Sequence, residues 1–201
     1  MIKAIIFDFW NVICTFDNNL FIEKIFSKTP LSKEKLHDLI YNKSNLPKLY
    51  EIWEISSNEF FENIKNLCEL DINQADFIEA YTNIFTPIKS TFDLIKKLKN
   101  NYKLSLLSNT SEWDFNFWIK PIEIFDLFNT VTLSYEVKEM KPENKIYLDC
   151  LNKLKLNPNE CIYIDDIKKY SDKATEIGMI WINYKTNIKL LNSLKSYNII
   201  F

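Results

Sequence analysis

One stretch near the N-terminus, Ile5-Ile6-Phe7-Asp8-Phe9-Trp10-Asn11-Val12-Ile13, constrains this chain more than any other. Its apolar run is too short for a helix of normal length and stops at one carboxylate and a turn-permissive Asn. That is the pattern of a strand buried on both faces of a parallel sheet. Asp8 then falls at the carboxyl end of the strand, the edge where open α/β sheets bind ligands. Alone, a strand ending on Asp before a turn is common, because Asp favours turns.

A chain of 201 residues forms one domain, or one domain with an inserted subdomain, and is long enough to bury a full core. Its 47% hydrophobic and 26% charged content is that of an ordinary globular protein. The net charge of -2 supplies no basic field for nucleic acid and no acidic tail for a charged partner. The chain has a single Gly and no Arg, so every cationic role falls to Lys, which meets phosphate as a point charge. Lys3 is followed by too short an apolar stretch for a signal peptide, and no run reaches the length of a membrane span. Cys14, Cys68, Cys150 and Cys161 lack CxxC spacing and read as buried reduced thiols, the usage of a cytoplasmic protein. His37, the only histidine, is expected on a helix surface with no partner for a metal.

Residues 17–87 read as helix after helix. Phe60, Phe61, Ile64, Leu67 and Cys68 repeat at helical spacing behind Ser56-Ser57-Asn58-Glu59, a capping box. Phe77, Ala80, Tyr81, Ile84 and Phe85 repeat the pattern, and Leu20 to Phe26 and Leu36 to Ile40 suggest two shorter helices. Leu49 to Trp53 is expected as a short helix facing the site; Tyr50, Trp53 and the Asn42–Leu46 stretch are the candidates to face it, and the sequence does not orient them. The block is a helical insertion between core segments 1–16 and 88–201. From residue 88 the rhythm alternates: a helix around Phe92, Ile95 and Leu98, a strand at Lys103–Leu107, and a helical stretch through Trp113, Phe117 and Ile124. Thr130–Leu133 is a strand and Ser134–Pro142 a loop, with Pro142 in the first turn of a helix carrying Ile146 to Leu154. Cys161–Ile164 is a strand, a helix stops at Gly178 in a left-handed cap, and Met179–Asn183 is the last strand before a helical tail. This is an α/β sheet with crossover helices.

Three of these strands end in polar residues: Asp8, Ser108-Asn109 and Asp165-Asp166. A parallel sheet places all three on one edge, and the loop Lys138-Glu139-Met140-Lys141-Pro142 enters between the last two. Carboxylates, a hydroxyl and an ammonium together suit phosphoryl transfer through a covalent aspartyl intermediate. Asp8 and Asp166, with Asp165 beside them, suit a hard cation such as Mg2+. Ser108 and the neighbouring backbone N–H of Asn109 would bind a phosphate oxygen, and Lys141 would neutralise developing charge and orient the Asp8 nucleophile.

Along essentially its whole length the chain resembles the haloacid dehalogenase-like hydrolase superfamily. Ile6-Phe7-Asp8-Phe9-Trp10-Asn11-Val12 is similar to its first motif and Leu107-Ser108-Asn109 to its second. Ser134 through Glu143 is similar to the third, and Tyr163-Ile164-Asp165-Asp166 to the fourth. Within the superfamily, Ser108-Asn109-Thr110 followed by Phe117-Trp118 most resembles the α-glucose-1-phosphatase-like branch. The resemblance implies a Rossmann-like core with residues 17–87 as a helical cap, Mg2+ dependence, and hydrolysis of small phosphorylated metabolites. It also implies the backbone carbonyl of Trp10 as a third protein ligand to the metal.

Two departures bear on activity. Most phosphatases of the superfamily carry a second Asp two residues after the nucleophile, as acid and base, and that position is Trp10. Such a group is typically worth roughly 10²–10⁴ in rate. The position after Asp166, commonly small and polar, is Ile167. Three readings follow: a phosphatase favouring anomeric sugar phosphates, whose leaving oxygen departs readily; an impaired member that binds phosphometabolites or a partner; and a haloacid dehalogenase, which would need a halide-binding Arg this chain lacks.

Overall fold

Ile5 and Phe7 point to one face of a sheet and Ala4 and Ile6 to the other, and all four are fully buried. The computed structural model describes residues 1–201. Its strands are β1 (Ala4–Phe7), β2 (Cys14–Phe16), β3 (Phe85–Pro87), β4 (Lys103–Ser108), β5 (Thr130–Leu133), β6 (Cys161–Asp165) and β7 (Ile180–Asn183). Five of them form a parallel sheet in the order β5-β4-β1-β6-β7, a Rossmann-like arrangement with β1 at its centre. Phe7 pairs with Leu106 on β4 and Ile164 on β6, so the residues that follow emerge side by side at one edge.

Beyond Asp8 the chain reverses. Asn11 adopts φ 59°, the left-handed region that Asn tolerates better than most residues. The amides of Ile13 and Cys14 both donate to the Phe9 carbonyl, closing the turn. The chain then enters β2, which pairs antiparallel with β3 through Cys14–Pro87 and Phe16–Phe85. This ribbon joins the start and end of the helical block and is absent from the sequence reading, since three-residue strands carry too little alternation to detect.

Between the two ribbon strands lie α1 (Asn18–Ile25), α2 (Lys33–His37), α3 (Leu46–Glu51), α4 (Ser57–Leu67) and α5 (Gln74–Thr82). Their apolar faces share one core, with Phe21, Tyr50, Phe60 and Phe77 fully buried. Trp113, from the sheet side, belongs to this same core. Its amide donates to the Tyr50 hydroxyl at 3.1 Å. Helices α6 (Lys89–Leu98), α7 (Glu112–Asp114), α8 (Ser134–Val137), α9 (Asn144–Leu154), α10 (Lys168–Ile177) and α11 (Asn187–Ser196) complete the chain. Gly178 caps α10 at φ 99°, as expected, and all four cysteines are free and buried. No helix is long and apolar enough to cross a membrane.

Three local expectations change. The stretch from Trp113 to Ile124 is not one helix. After α7 the chain widens into a π-type turn over Phe115–Ile119, and Pro121, which has no amide hydrogen to continue the ladder, ends the run. Ser134–Val137 is helical rather than loop, because Ser134 Oγ accepts from the Thr110 amide and donates to the Thr110 carbonyl, fixing the chain to the end of β4. Pro142 lies outside α9, whose N-cap is Glu143; Asn109 binds the Lys141 backbone and holds this segment at the sheet edge instead.

The capping box at α4 forms as expected: the Glu59 amide donates to Ser56 Oγ, and the Glu59 carboxylate accepts from the Ser56 amide at 2.8 Å. Ser56→Ala should therefore lower stability by about 1 kcal/mol, read as a reduced urea midpoint with unchanged slope. A shift indistinguishable from zero would show that the cap contributes nothing to this helix.

Candidate functional site

Asp8, Asn109 and Asp165 come from the carboxyl ends of β1, β4 and β6, and Lys141 reaches them from the segment between α8 and α9. The Lys141 Nζ lies 2.7 Å from Asp8 Oδ1 and 3.0 Å from Asp165 Oδ2. All three side chains are buried. Asp8 Oδ1 also accepts from the Phe9 amide at 2.7 Å. Asp165 is held on both oxygens: Oδ1 accepts from the Ile167 amide at 2.7 Å, and Oδ2 from the Tyr163 hydroxyl as well as from Lys141. The Ile167 backbone thus donates the hydrogen bond that its side chain cannot.

Asn109 fixes the lysine from behind. Its Oδ1 accepts from the Lys141 amide at 2.8 Å and its Nδ2 donates to the Lys141 carbonyl at 3.3 Å. The Asn109 side chain is therefore spent on the Lys141 backbone rather than turned toward a ligand. Ser108 is fully buried, and its hydroxyl donates to the Asn109 carbonyl at 3.2 Å. Asp166 Oδ2 accepts from Asn11 Nδ2 at 3.2 Å, and its carbonyl accepts from Asn183.

Charge at this edge is unbalanced: carboxylates from Asp8, Asp165 and Asp166 face one ammonium. Burial lifts the Asp8 carboxyl above the usual range; Lys141 pulls it back and Asp165 adds to the rise. Burial works against the Lys141 ammonium, but Asp8 and Asp165 together outweigh it and hold its pKa above the ordinary lysine value. Asp166 is raised by burial and then by Asp165. Oxygens of the three carboxylates lie within 4.8 Å of one another. An all-oxygen set with surplus negative charge fits a hard divalent ion such as Mg2+.

Trp10 lies beside this edge. Its Nε1 donates to the Asn109 carbonyl at 2.8 Å, and its ring stacks on Phe85 with centroids 4.5 Å apart. The indole also forms part of a cavity of about 220 Å³, shared with Tyr41, Glu51, Tyr81, Phe85 and Asp114 among others. The candidates the sequence offered for facing the site lie elsewhere. Tyr50 is fully buried in the helical core, its hydroxyl bonded to Ser57 at 2.8 Å, and Trp53 packs against Tyr135 instead. None of residues 42–46 lines the cavity. Asp114 was hidden by its setting, because Ser111-Glu112-Trp113-Asp114 reads as an ordinary helix start, and Ser111 does cap α7.

A parallel sheet that brings carboxylates, a serine and a lysine to its carboxyl edge defines a class of α/β hydrolases. The chain belongs to the haloacid dehalogenase-like hydrolase family, whose profile matches residues 5–183. It is similar to an uncharacterized protein of Haemophilus influenzae, 26% identical over 96 residues, which are 48% of this chain and 48% of that protein. The chain thus spans about half the length of this curated relative. Among solved structures it is similar to a HAD family enzyme of Bacteroides thetaiotaomicron in complex with magnesium and inorganic phosphate. That likeness has a TM-score of 0.80 and 23% identity over 92% of this chain and 95% of that one. It is also similar to L-2-haloacid dehalogenase of Xanthobacter autotrophicus with chloropropionic acid covalently bound. There the TM-score is 0.66 at 17% identity, over 100% of this chain and 85% of that one.

Burial lifts Asp114 from 3.8 to about 7, and burial with repulsion from Asp114 lifts Glu51 from 4.5 to about 8. Both acids bind their protons more tightly folded than unfolded, so stability present at low pH is lost as pH rises from about 4 to about 8. Asp114→Asn should flatten that fall by up to about 1.4 kcal/mol per pH unit, measured by urea unfolding across this range. Identical slopes in both proteins would show that Asp114 ionises freely in the fold.

Proposed function

We propose that this protein is a Mg2+-dependent phosphatase of small phosphomonoesters that works through an aspartyl phosphate on Asp8. The observation that carries the reading is the Asp8–Lys141–Asp165 bridge with Asp166 within reach of the same point. Asp8 attacks phosphorus; the bond from phosphorus to the leaving oxygen breaks, and that oxygen takes a proton from water. A second water then attacks phosphorus, freeing phosphate and restoring Asp8. Lys141 keeps Asp8 oriented and offsets charge that develops on the transferring group. Asp165, engaged on both oxygens, acts as the anchor of Lys141. The Ser108 hydroxyl, 3.2 Å from the Asn109 carbonyl, rotates to a phosphate oxygen, and Asn109 serves by holding Lys141 in place.

Asp8 and Asp166, with the Trp10 backbone carbonyl, would hold the cation. When bound, it would offset the repulsion between Asp8 and a phosphate dianion. Residues 17–87 act as a cap over a core made of 1–16 and 88–201, and the four free thiols support a cytoplasmic setting. Trp10 has no proton to give a leaving oxygen, which favours esters of anomeric hydroxyls, whose oxygen departs readily. The competing reading is an impaired member that binds phosphometabolites, favoured by the same Trp10. Dehalogenation is disfavoured by the lack of any Arg to receive halide.

Phosphate release should appear with Mg2+ over a panel of sugar, nucleotide and glycolytic phosphates, vanish with EDTA, and fall on the order of 10⁴-fold or more in Asp8→Asn. A trace rate equal in wild type and variant would be contamination and would favour the impaired reading. Glucose 1-phosphate should turn over at least about tenfold faster than glucose 6-phosphate; equal rates would remove the anomeric preference.

A further inference from the structure

The cavity beside Trp10 holds two acids and no base. Asp114 is 7% exposed, and its Oδ2 accepts from Ser111 Oγ at 2.8 Å. Its Oδ1 is buried without any partner. Buried acceptors are nearly always satisfied, so an orphan one on a residue that lines a cavity points to a donor brought by a ligand. Glu51 lines the same cavity, and the walls are largely aromatic: Trp10, Phe16, Tyr41, Tyr81 and Phe85. No lysine lines it, and the chain has no arginine.

We propose that this cavity receives an ammonium group carried by the leaving alcohol of the substrate, bound between Asp114 and Glu51 over aromatic faces. The inference rests on the phosphatase reading for the phosphate end and on the cavity alone for the amine end. Trp10 connects the two: it follows Asp8 by two residues, is hydrogen-bonded to Asn109, and is part of the cavity wall. A leaving group bearing a second phosphate or a carboxylate would meet two acids and no cation, at a cost that excludes it. A hydroxyl would supply one donor to Asp114 and leave Glu51 unmet. An ammonium supplies several donors, favours the ionised form of both acids and gains from the aromatic faces. A cavity of about 220 Å³ has room for an amino-sugar ring.

Two measurements separate this inference from the reading beneath it. Calorimetry of wild type with glucosamine and with glucose, neither carrying phosphate, reads the amine site without turnover. Glucosamine should bind at least about tenfold tighter, and the advantage should fall below about threefold in both Asp114→Asn and Glu51→Gln. Equal affinities, or no binding of either sugar, would overturn the proposal. In turnover, kcat/KM for glucosamine 1-phosphate should exceed that for glucose 1-phosphate by a similar factor. Equal hydrolysis of both esters would remove the amine site and leave the phosphatase standing. Hydrolysis of neither, with glucosamine binding that depends on Asp114, would sustain the amine site and remove the phosphatase.

Discussion

A single buried ammonium decides how the sheet edge is built. Register places Phe7 beside Ile164, so the next residues on β1 and β6, Asp8 and Asp165, are neighbours of like charge in a region almost closed to water. Two adjacent buried carboxylates are costly, and Lys141 between them is the local remedy. Burying an ion costs several kcal/mol even after relaxation, so the bridge adds little to net stability. Its effect is geometric. The Tyr163 hydroxyl, the Ile167 amide and the Phe9 amide complete the shells of the two carboxylates, and Asn109 grips the lysine backbone from the neighbouring strand. A point charge on a flexible stem becomes a fixed one only through such surroundings.

That network also explains why the sequence was a good guide here and a poor one nearby. Asp8, Ser108, Asn109, Lys141, Asp165 and Asp166 were legible because each follows a short apolar run or sits in the loop between two such runs. In a parallel sheet the chain order alone brings those ends to one edge. The left-handed turn at Asn11 and the cap at Gly178 were legible for a related reason, since few residue types accept positive φ. The ribbon of β2 and β3 was not, and neither was α8: three residues show a single alternation and four barely one helical turn, too little to stand out. Helix existence in the 17–87 block followed from apolar spacing, but the rotation of α3 did not. Tyr50, sunk in the helical core, and Glu51, on the cavity wall, are consecutive residues, and either rotation satisfies the same pattern.

The helical block and the sheet are joined by more than the ribbon. Trp113 leaves the sheet side to pack with Tyr50, Phe60, Phe77 and Tyr81, so the segment after β4 is shared between the two cores. Its neighbour Asp114 lies between the two: Ser111 orients it from the sheet side, and it lines one cavity with Tyr41 and Tyr81 of the helical block. A carboxylate fixed in this way is a positional marker that loop movement alone would not supply.

Trp10 is where the sheet edge and the cavity meet. An Asp at that position would offer a proton to the leaving oxygen but would add another carboxylate beside Asp8, Asp165 and Asp166. An indole removes that charge and instead donates to Asn109, whose side chain secures Lys141, while stacking on Phe85 of the ribbon. The same ring that gives up acid catalysis thus stiffens the lysine support and supplies an aromatic wall to the cavity. In the proposed phosphatase, loss of the acid would place the burden on the leaving group itself, and the wall would place the recognition of that group in the cavity. A leaving group that departs readily and carries positive charge answers both demands at once, because a nearby ammonium stabilises the departing oxygen that no side chain here protonates.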